Sequence, residues 1–238
     1  GRIPLVVGGT GMYLRGLLKG VASAPRRDPE RRRRLYALDA KHGTPWLHRV
    51  LTRLDPETAG NVGSNDRQRL VRALEVRLSA GASLAGLQSG GWRGRDRWPT
   101  LRLGLATDRT RLYEKLDRRV DQFFERGLIE EVLWLLGPRG IPPEANALRA
   151  IGYREVLRDC RYEPARGWVF AGDEEALRAE VAQATRRYAK RQMTWFRREP
   201  DTVWLDPEDP SALDACLERI RRWLACPGGH PFGYTSGP

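Results

Sequence analysis

The chain has 238 residues, of which 40% are hydrophobic, and this excludes both a disordered chain and, because no long apolar run occurs, a membrane-spanning one. Three cysteines without metal-ligand spacing argue against a disulfide framework and predict a cytoplasmic protein. The net charge of +12 comes mostly from arginine, which favours a polyanionic partner unless it only reflects the codon usage of a GC-rich genome.

The first predicted element is a short buried strand followed by a glycine turn and a helix. Residues 3–7 form the apolar run Ile-Pro-Leu-Val-Val, which is typical of a strand in a parallel sheet. Gly8 to Gly11 form the turn, and helical spacing predicts a helix over residues 12–19 that ends at Gly20. This is the start of a β–α unit. Because domains rarely begin inside a central strand, we expect an upstream part to be absent.

The next stretch, residues 26–95, is predicted to be all helical and rich in arginine. The helix starts are marked by Asp, Gly-Thr or Ser-Asn-Asp caps, several of them followed by proline. The predicted helices cover residues 29–42, 44–54, a short segment from 56, and 67–80. Residues 88–97 contain much Gly, Trp and Arg and are predicted to be a mobile loop.

Residues 96–226 are predicted to hold two short strands and five amphipathic helices. The strands are residues 100–105 and 203–205, and the helices are residues 108–126, 129–136, 153–159, 173–198 and 211–225. Residues 227–238 lack periodicity and are expected to be a disordered tail. The order of elements predicts an α/β core, built from residues 1–25 and 96–226, with a helical insertion at residues 26–95.

Gly8 to Gly11 are the first candidate site. The turn places backbone N–H groups and the Thr10 hydroxyl at a helix N-terminus, where an anion is favoured. The alternative is a tight turn without a ligand. It is not a Walker A loop, because no Lys-Ser or Lys-Thr follows, and the pattern G-x-x-x-x-G-K-[ST] occurs nowhere in the chain.

Two arginine-rich helices are the other candidates. In residues 65–76, Arg69 and Arg72 share a helix face and can bind phosphates, while Gln68 can read a base edge. In residues 184–198, cationic residues at helical spacing lie close to an apolar stripe, which suits a ligand with a diphosphate head and a hydrocarbon tail. The alternative for each helix is an ordinary solvated surface.

Four segments, taken in their order and spacing, resemble the tRNA dimethylallyltransferase (isopentenyltransferase) family. The resemblance extends from residue 1 to about residue 206. The segments are Pro4-Leu5-Val6-Val7-Gly8-Gly9-Thr10-Gly11-Met12-Tyr13, Asn65-Asp66 with Gln68 to Glu75, Ala150-Ile151-Gly152-Tyr153-Arg154-Glu155, and Tyr188-Ala189-Lys190-Arg191-Gln192 with Thr194-Trp195-Phe196-Arg197.

The resemblance implies a P-loop NTPase-like α/β core with an all-helical insertion that holds the tRNA anticodon stem-loop. A flipped adenosine attacks dimethylallyl diphosphate through its N6 amine, with Mg²⁺ assisting. It implies catalytic roles for Thr10, Arg191 and Arg197 and a monomer without membrane association. The implied tRNA contacts are Arg32, Gln68, Arg69, Leu70, Val71 and Arg72.

Two parts of the family pattern have no counterpart in the chain: the glycine-rich loop with Lys and Ser/Thr, and the aspartate that acts as general base. The core is therefore expected to be incomplete and the chain inactive alone. Two alternatives stay open. The chain could be a non-catalytic RNA-binding module, or a relative of the P-loop nucleotide kinases that uses ATP, although the motif at residues 65–75 argues against the kinase.

Overall fold

The computed structural model describes residues 3–20, 24–87 and 96–225. The chain divides into two compact units, residues 1–100 and residues 101–238. The proposed division into a core at residues 1–25 and 96–226 and an insertion at residues 26–95 stays a prediction. Most of the predicted loop at residues 88–97, and the predicted tail at residues 227–238, lie outside the described residues.

The described part of the N-terminal unit is helical, and its helices begin where the capping residues predict. The helices are α1 (Gly11–Lys19), α2 (Pro29–His42), α3 (Thr44–Leu54), α4 (Pro56–Gly60) and α5 (Arg67–Ala80). The Asp28 carboxylate accepts the backbone N–H of Arg31 at 3.0 Å, and Asp55 and Asp66 cap α4 and α5 in the same way. Each cap satisfies a backbone donor that the first helical turn leaves unpaired.

The predicted strand at residues 3–7 is wrong in this structure. These residues form no strand, and Leu5 and Val7 are 88% and 85% exposed. A strand is stabilised by a hydrogen-bonded neighbour, and none pairs with residues 3–7 in the described part of the chain. The turn and helix that follow are confirmed, and Gly20, with a φ of 91°, ends α1.

The core of the N-terminal unit is formed where α2, α3 and α5 pack together. Buried leucines from all three helices meet there, including Leu35, Leu47 and Leu74. The carboxylate of Asp55 is also buried in this unit. Burial would raise the pKa of Asp55, but hydrogen bonds from Thr58 and from Ser83 lower it below its usual value.

The C-terminal unit combines two small sheets with a larger helical part. Its elements are β1 (Arg102–Leu105), α6 (Arg109–Glu125), α7 (Leu128–Leu136), a 3-10 turn (Asn146–Arg149), α8 (Tyr153–Arg158), β2 (Cys160–Glu163), β3 (Gly167–Phe170), α9 (Glu174–Phe196), β4 (Thr202–Leu205) and α10 (Ala212–Ala225). The helices and the strands β1 and β4 confirm the sequence prediction with small shifts at their ends. No described helix is long and apolar enough to cross a membrane.

The strands β1 and β4 pair in parallel, with Arg102 opposite Thr202. Gly104 is required there, because a Cβ atom at this position would lie 2.7 Å from the Trp204 ring. The antiparallel hairpin of β2 and β3 was not predicted. Its signal was a three-residue loop followed by Gly167, which has a φ of 74°.

The helical core of this unit is built from α6, α7, α8 and α9. Val120, Val132, Val156 and Val181 are among its buried residues, one from each helix. The sheet pair and the helices together make this unit mixed α/β, with helices predominating. The long helix α9 thus has one face in the core, which leaves its opposite face in solvent.

Candidate nucleic-acid interface

The N-terminal turn of α5 presents two of the predicted RNA contacts to solvent. Gln68 is exposed, and 69% of the Arg69 side chain is accessible. Among the residues that the structure describes, Arg69 forms one ion pair, a contact of 3.3 Å between its Nε and Asp66 Oδ2, and an exposed pair of this kind contributes little to stability. The positive end of the helix dipole reinforces this surface for an anion.

The next two predicted contacts, Leu70 and Val71, are completely buried in the hydrophobic core. Their side chains therefore stabilise α5 and cannot reach a bound RNA in this structure. The helical period turns these two side chains towards α2 and α3, and the interpretation that Leu70 and Val71 contact tRNA stays a prediction.

Arg72, the last of the predicted tRNA contacts, makes hydrogen bonds within the protein. Its guanidinium donates to Glu75 Oε2 at 2.7 Å and to the Pro25 carbonyl at 2.8 Å. The Glu75 side chain is fully buried, and its second oxygen accepts the Asp28 N–H at 2.7 Å. Arg72 thus ties α5 to the segment that enters α2, and its role as a tRNA contact stays a prediction.

The arginine run at the start of α2 is used in different ways. Arg31 donates to Asp28 and to the Leu78 carbonyl, and Arg34 pairs with Glu30. Arg32, the predicted tRNA contact, is half-buried, and its Nε has no hydrogen-bond partner among the described residues. Its guanidinium is therefore only partly accessible to an RNA phosphate.

The exposed face of α9 carries a row of cations in the C-terminal unit. Arg191 lies on this face with its guanidinium 5.7 Å from the centre of the Tyr188 ring, and Arg197 is the exposed residue that ends the helix. The other exposed cations of the row are Arg187 and Lys190, and the exposed Arg198 follows the end of the helix. On the helix side towards α6, Arg186 instead pairs with Asp117 at 2.5 Å. The predicted cationic face is therefore present and open to solvent.

Thr10 is exposed and precedes α1, as the glycine turn predicts. Its side chain makes no capping hydrogen bond, so its hydroxyl is not used to stabilise the helix. Thr10 and the two arginines of α9 lie in different units. The catalytic roles of all three residues stay predictions.

Arg154, to which the sequence analysis assigned no role, is positioned by its neighbours Gly152 and Glu155. The buried Glu155 accepts the Gly152 N–H at 2.8 Å and the Arg154 Nε at 2.5 Å. Half of the Arg154 side chain remains accessible. The positive φ of Gly152, 95°, places the N–H for this contact. Arg154 is therefore a solvent-facing cation whose position is fixed by Glu155. In the sequence, its position between Gly152 and Glu155 was the signal that could have indicated this.

Other kinds of chemistry find little support in the described residues. No group of three or more His, Cys, Asp or Glu side chains there could hold a metal ion. Burial raises the pKa of Cys160 to about 11, so this thiol carries no thiolate at neutral pH and is a poor nucleophile. Exposed arginines are the chemical feature that the two units share.

Comparison with known proteins identifies where this combination of motifs occurs. The model of a family described as IPP transferase matches residues 1–199. A tRNA dimethylallyltransferase of Koribacter versatilis is 40% identical over 205 residues, which cover 86% of this chain and 64% of that protein. One of Solibacter usitatus is 39% identical over 232 residues, covering 94% and 70%. The chain thus spans about two thirds of the length of these relatives.

Two solved structures have a similar fold. The tRNA delta(2)-isopentenylpyrophosphate transferase of Staphylococcus epidermidis is 28% identical with a TM-score of 0.50, covering 90% of this chain and 67% of that one. A eukaryotic dimethylallyltransferase acting on tRNA is 24% identical with a TM-score of 0.67, covering 94% and 57%. The second likeness shows the fold alone.

Proposed function

The chain belongs to the IPP transferase family, and from this premise we propose that it transfers a dimethylallyl group from dimethylallyl diphosphate to tRNA. The acceptor is the N6 amine of the adenosine next to the anticodon, in the cytoplasm. The observation that carries the proposal is the exposed cationic face of α9, because a row of guanidinium groups beside apolar residues suits a prenyl diphosphate.

In the proposed reaction, the lone pair of the adenine N6 attacks the first carbon of the dimethylallyl group. The bond from this carbon to the diphosphate oxygen breaks, and diphosphate leaves with the electron pair. The N6 amine then loses one proton to a base. Arg191 and Arg197 neutralise the negative charge that grows on the leaving group, and the Thr10 hydroxyl lies at the reacting centre. No carboxylate of the chain is assigned as the base.

We propose tRNA contacts first at the accessible residues among the predicted ones. Gln68 and Arg69 at the start of α5 bind the anticodon stem-loop, with Arg32 contributing its accessible part. Mg²⁺ belongs to the proposal through the substrate, since this ion is usually held by substrate phosphates with one or two carboxylates. The described residues offer no dedicated metal site, and no step above depends on one. We propose that the enzyme acts as a monomer and that its fold is a P-loop-like core with a helical insertion.

Replacing Arg69 by alanine should make tRNA binding less sensitive to salt. One lost phosphate contact should reduce the slope of log affinity against log salt concentration by about 0.7–0.9. Anisotropy titrations of a labelled anticodon stem-loop at several salt concentrations measure this slope. Replacing Asp66 by asparagine is the control, since it removes the neighbouring carboxylate and leaves the Arg69 charge in place. An unchanged slope in the Arg69→Ala variant would contradict the proposed contact.

Activity itself tests the proposed function. The 238-residue chain, which has no G-x-x-x-x-G-K-[ST] loop, should show negligible transfer of labelled dimethylallyl groups to tRNA. A chimera in which its residues 1–199 replace the matching residues of the Koribacter versatilis relative should be active. Failure of a folded chimera that still binds tRNA would favour the alternative of an RNA-binding module. Robust turnover by the isolated chain would show that its catalytic machinery has been misplaced.

A further inference from the structure

A second cationic surface lies on α3, a helix without any predicted role. Trp46, Arg49, Val50 and Arg53 line a shallow hollow of about 330 Å³, here called the α3 hollow. At 100° per residue these four side chains occupy one arc of the helix. Leu47, which is completely buried, lies on the core-facing side. The hollow therefore lies on the outward face of α3, and the opposite face anchors this helix in the core.

The aromatic wall of the α3 hollow is fixed. Trp46 is half-buried against the core of the N-terminal unit. Its ring stacks on that of His42, with 4.7 Å between the ring centres and an angle of 27° between the planes. A held indole at the edge of an open hollow is a surface on which a planar ligand can stack at little cost in side-chain entropy.

The charges of the α3 hollow are not neutralised by other residues in the described part of the chain. Arg49 and Arg53 are one helical turn apart and exposed, and no carboxylate lines the hollow. Neither guanidinium makes a hydrogen bond or an ion pair with another residue in the described ranges. By contrast, Arg67 on α5 is paired with the buried Asp39 at 2.6 Å. Two open guanidinium groups beside a fixed aromatic ring match a polyanion that also carries planar groups.

We infer that the α3 hollow binds an unpaired nucleotide of an RNA, with its base against Trp46 and its backbone phosphates at Arg49 and Arg53. The inference rests on the proposed function, which makes tRNA the RNA that the chain meets. It extends the RNA surface of the N-terminal unit beyond the start of α5. The hollow would bind RNA through base stacking and through charge, so it selects single-stranded RNA without reading a particular base.

The test is the affinity of the 238-residue chain for an anticodon stem-loop, measured by anisotropy over a range of salt concentrations. Arg49→Ala with Arg53→Ala should lower the slope of log affinity against log salt by about 1.4–1.8, since two phosphate contacts are lost. Trp46→Ala should weaken binding roughly 5- to 100-fold at each salt concentration, because a lost stacking contact does not depend on charge. Arg49→Lys with Arg53→Lys should keep most of the slope.

A charge-matched control removes Arg219 and Arg221, two exposed arginines of α10, and should leave the slope unchanged. If Trp46→Ala fails to fold, two other variants decide the question: Trp46→Phe, which keeps a ring, and Arg49→Ala with Arg53→Ala. Wild-type binding by the double alanine variant would overturn this inference and leave the proposed function intact. Absence of stem-loop binding by the wild-type chain would overturn both. Displacement of the RNA from the hollow by poly-glutamate as readily as by poly-uridylate would indicate an acidic protein partner and overturn it.

Discussion

Replacing Arg72 by alanine should lower the free energy of unfolding of the N-terminal unit by about 3 kcal/mol. Among the described residues, the change leaves the fully buried Glu75 with the Asp28 N–H as its remaining donor, and a buried carboxylate without its cationic partner is costly. The Pro25 carbonyl loses its donor as well. Urea unfolding followed by circular dichroism measures the change.

Arg69→Ala is the matched control, because Arg69 lies three residues earlier on the same helix with its side chain largely exposed. Its effect on the free energy of unfolding should stay within about 0.5 kcal/mol. Arg72→Ala combined with Glu75→Leu should recover part of the loss, since the unpaired buried charge is gone. Wild-type stability of Arg72→Ala, together with a flatter salt slope of RNA binding, would instead make Arg72 a phosphate ligand.

Local signals predicted the helices well because their causes lie within a few residues of sequence. Asp28 and Asp66 bond to backbone donors three residues ahead, and such caps can be read directly from the chain. The absence of a strand at residues 3–7 could not be predicted this way. An apolar run records only that burial would be favourable, while a strand also needs a neighbour that hydrogen-bonds to it.

The candidate site shows the same division between local and long-range causes. The exposed row on α9 follows from helical spacing, so Arg187 and Arg191 were correctly placed on one open face. Spacing also joined Arg69 to Arg72, but it could not show that only one of them has a buried carboxylate within reach. That difference depends on Pro25 and Asp28, 47 residues before Arg72 and Glu75.

Replacing Arg191 by alanine should lower kcat for dimethylallyl transfer by about 10²- to 10³-fold in the active chimera. The guanidinium is exposed, lies near the Tyr188 ring and forms no ion pair with another described residue, so its charge is available to the diphosphate. That charge matters most as the carbon–oxygen bond breaks, and kcat should therefore fall more than the affinity for dimethylallyl diphosphate. Single-turnover rates over a range of donor concentrations separate the two effects.

Arg187→Ala provides the comparison, since Arg187 lies one helical turn earlier on the same exposed face of α9. Its loss should change kcat by less than about threefold, because a cation that only attracts the substrates acts equally on the ground and transition states. Arg191→Lys should recover part of the rate, since it restores the charge but not the planar fork. If Arg191→Ala instead weakened tRNA binding with a normal single-turnover rate, Arg191 would be an RNA contact, and the charge on the departing diphosphate would have to be neutralised by other residues.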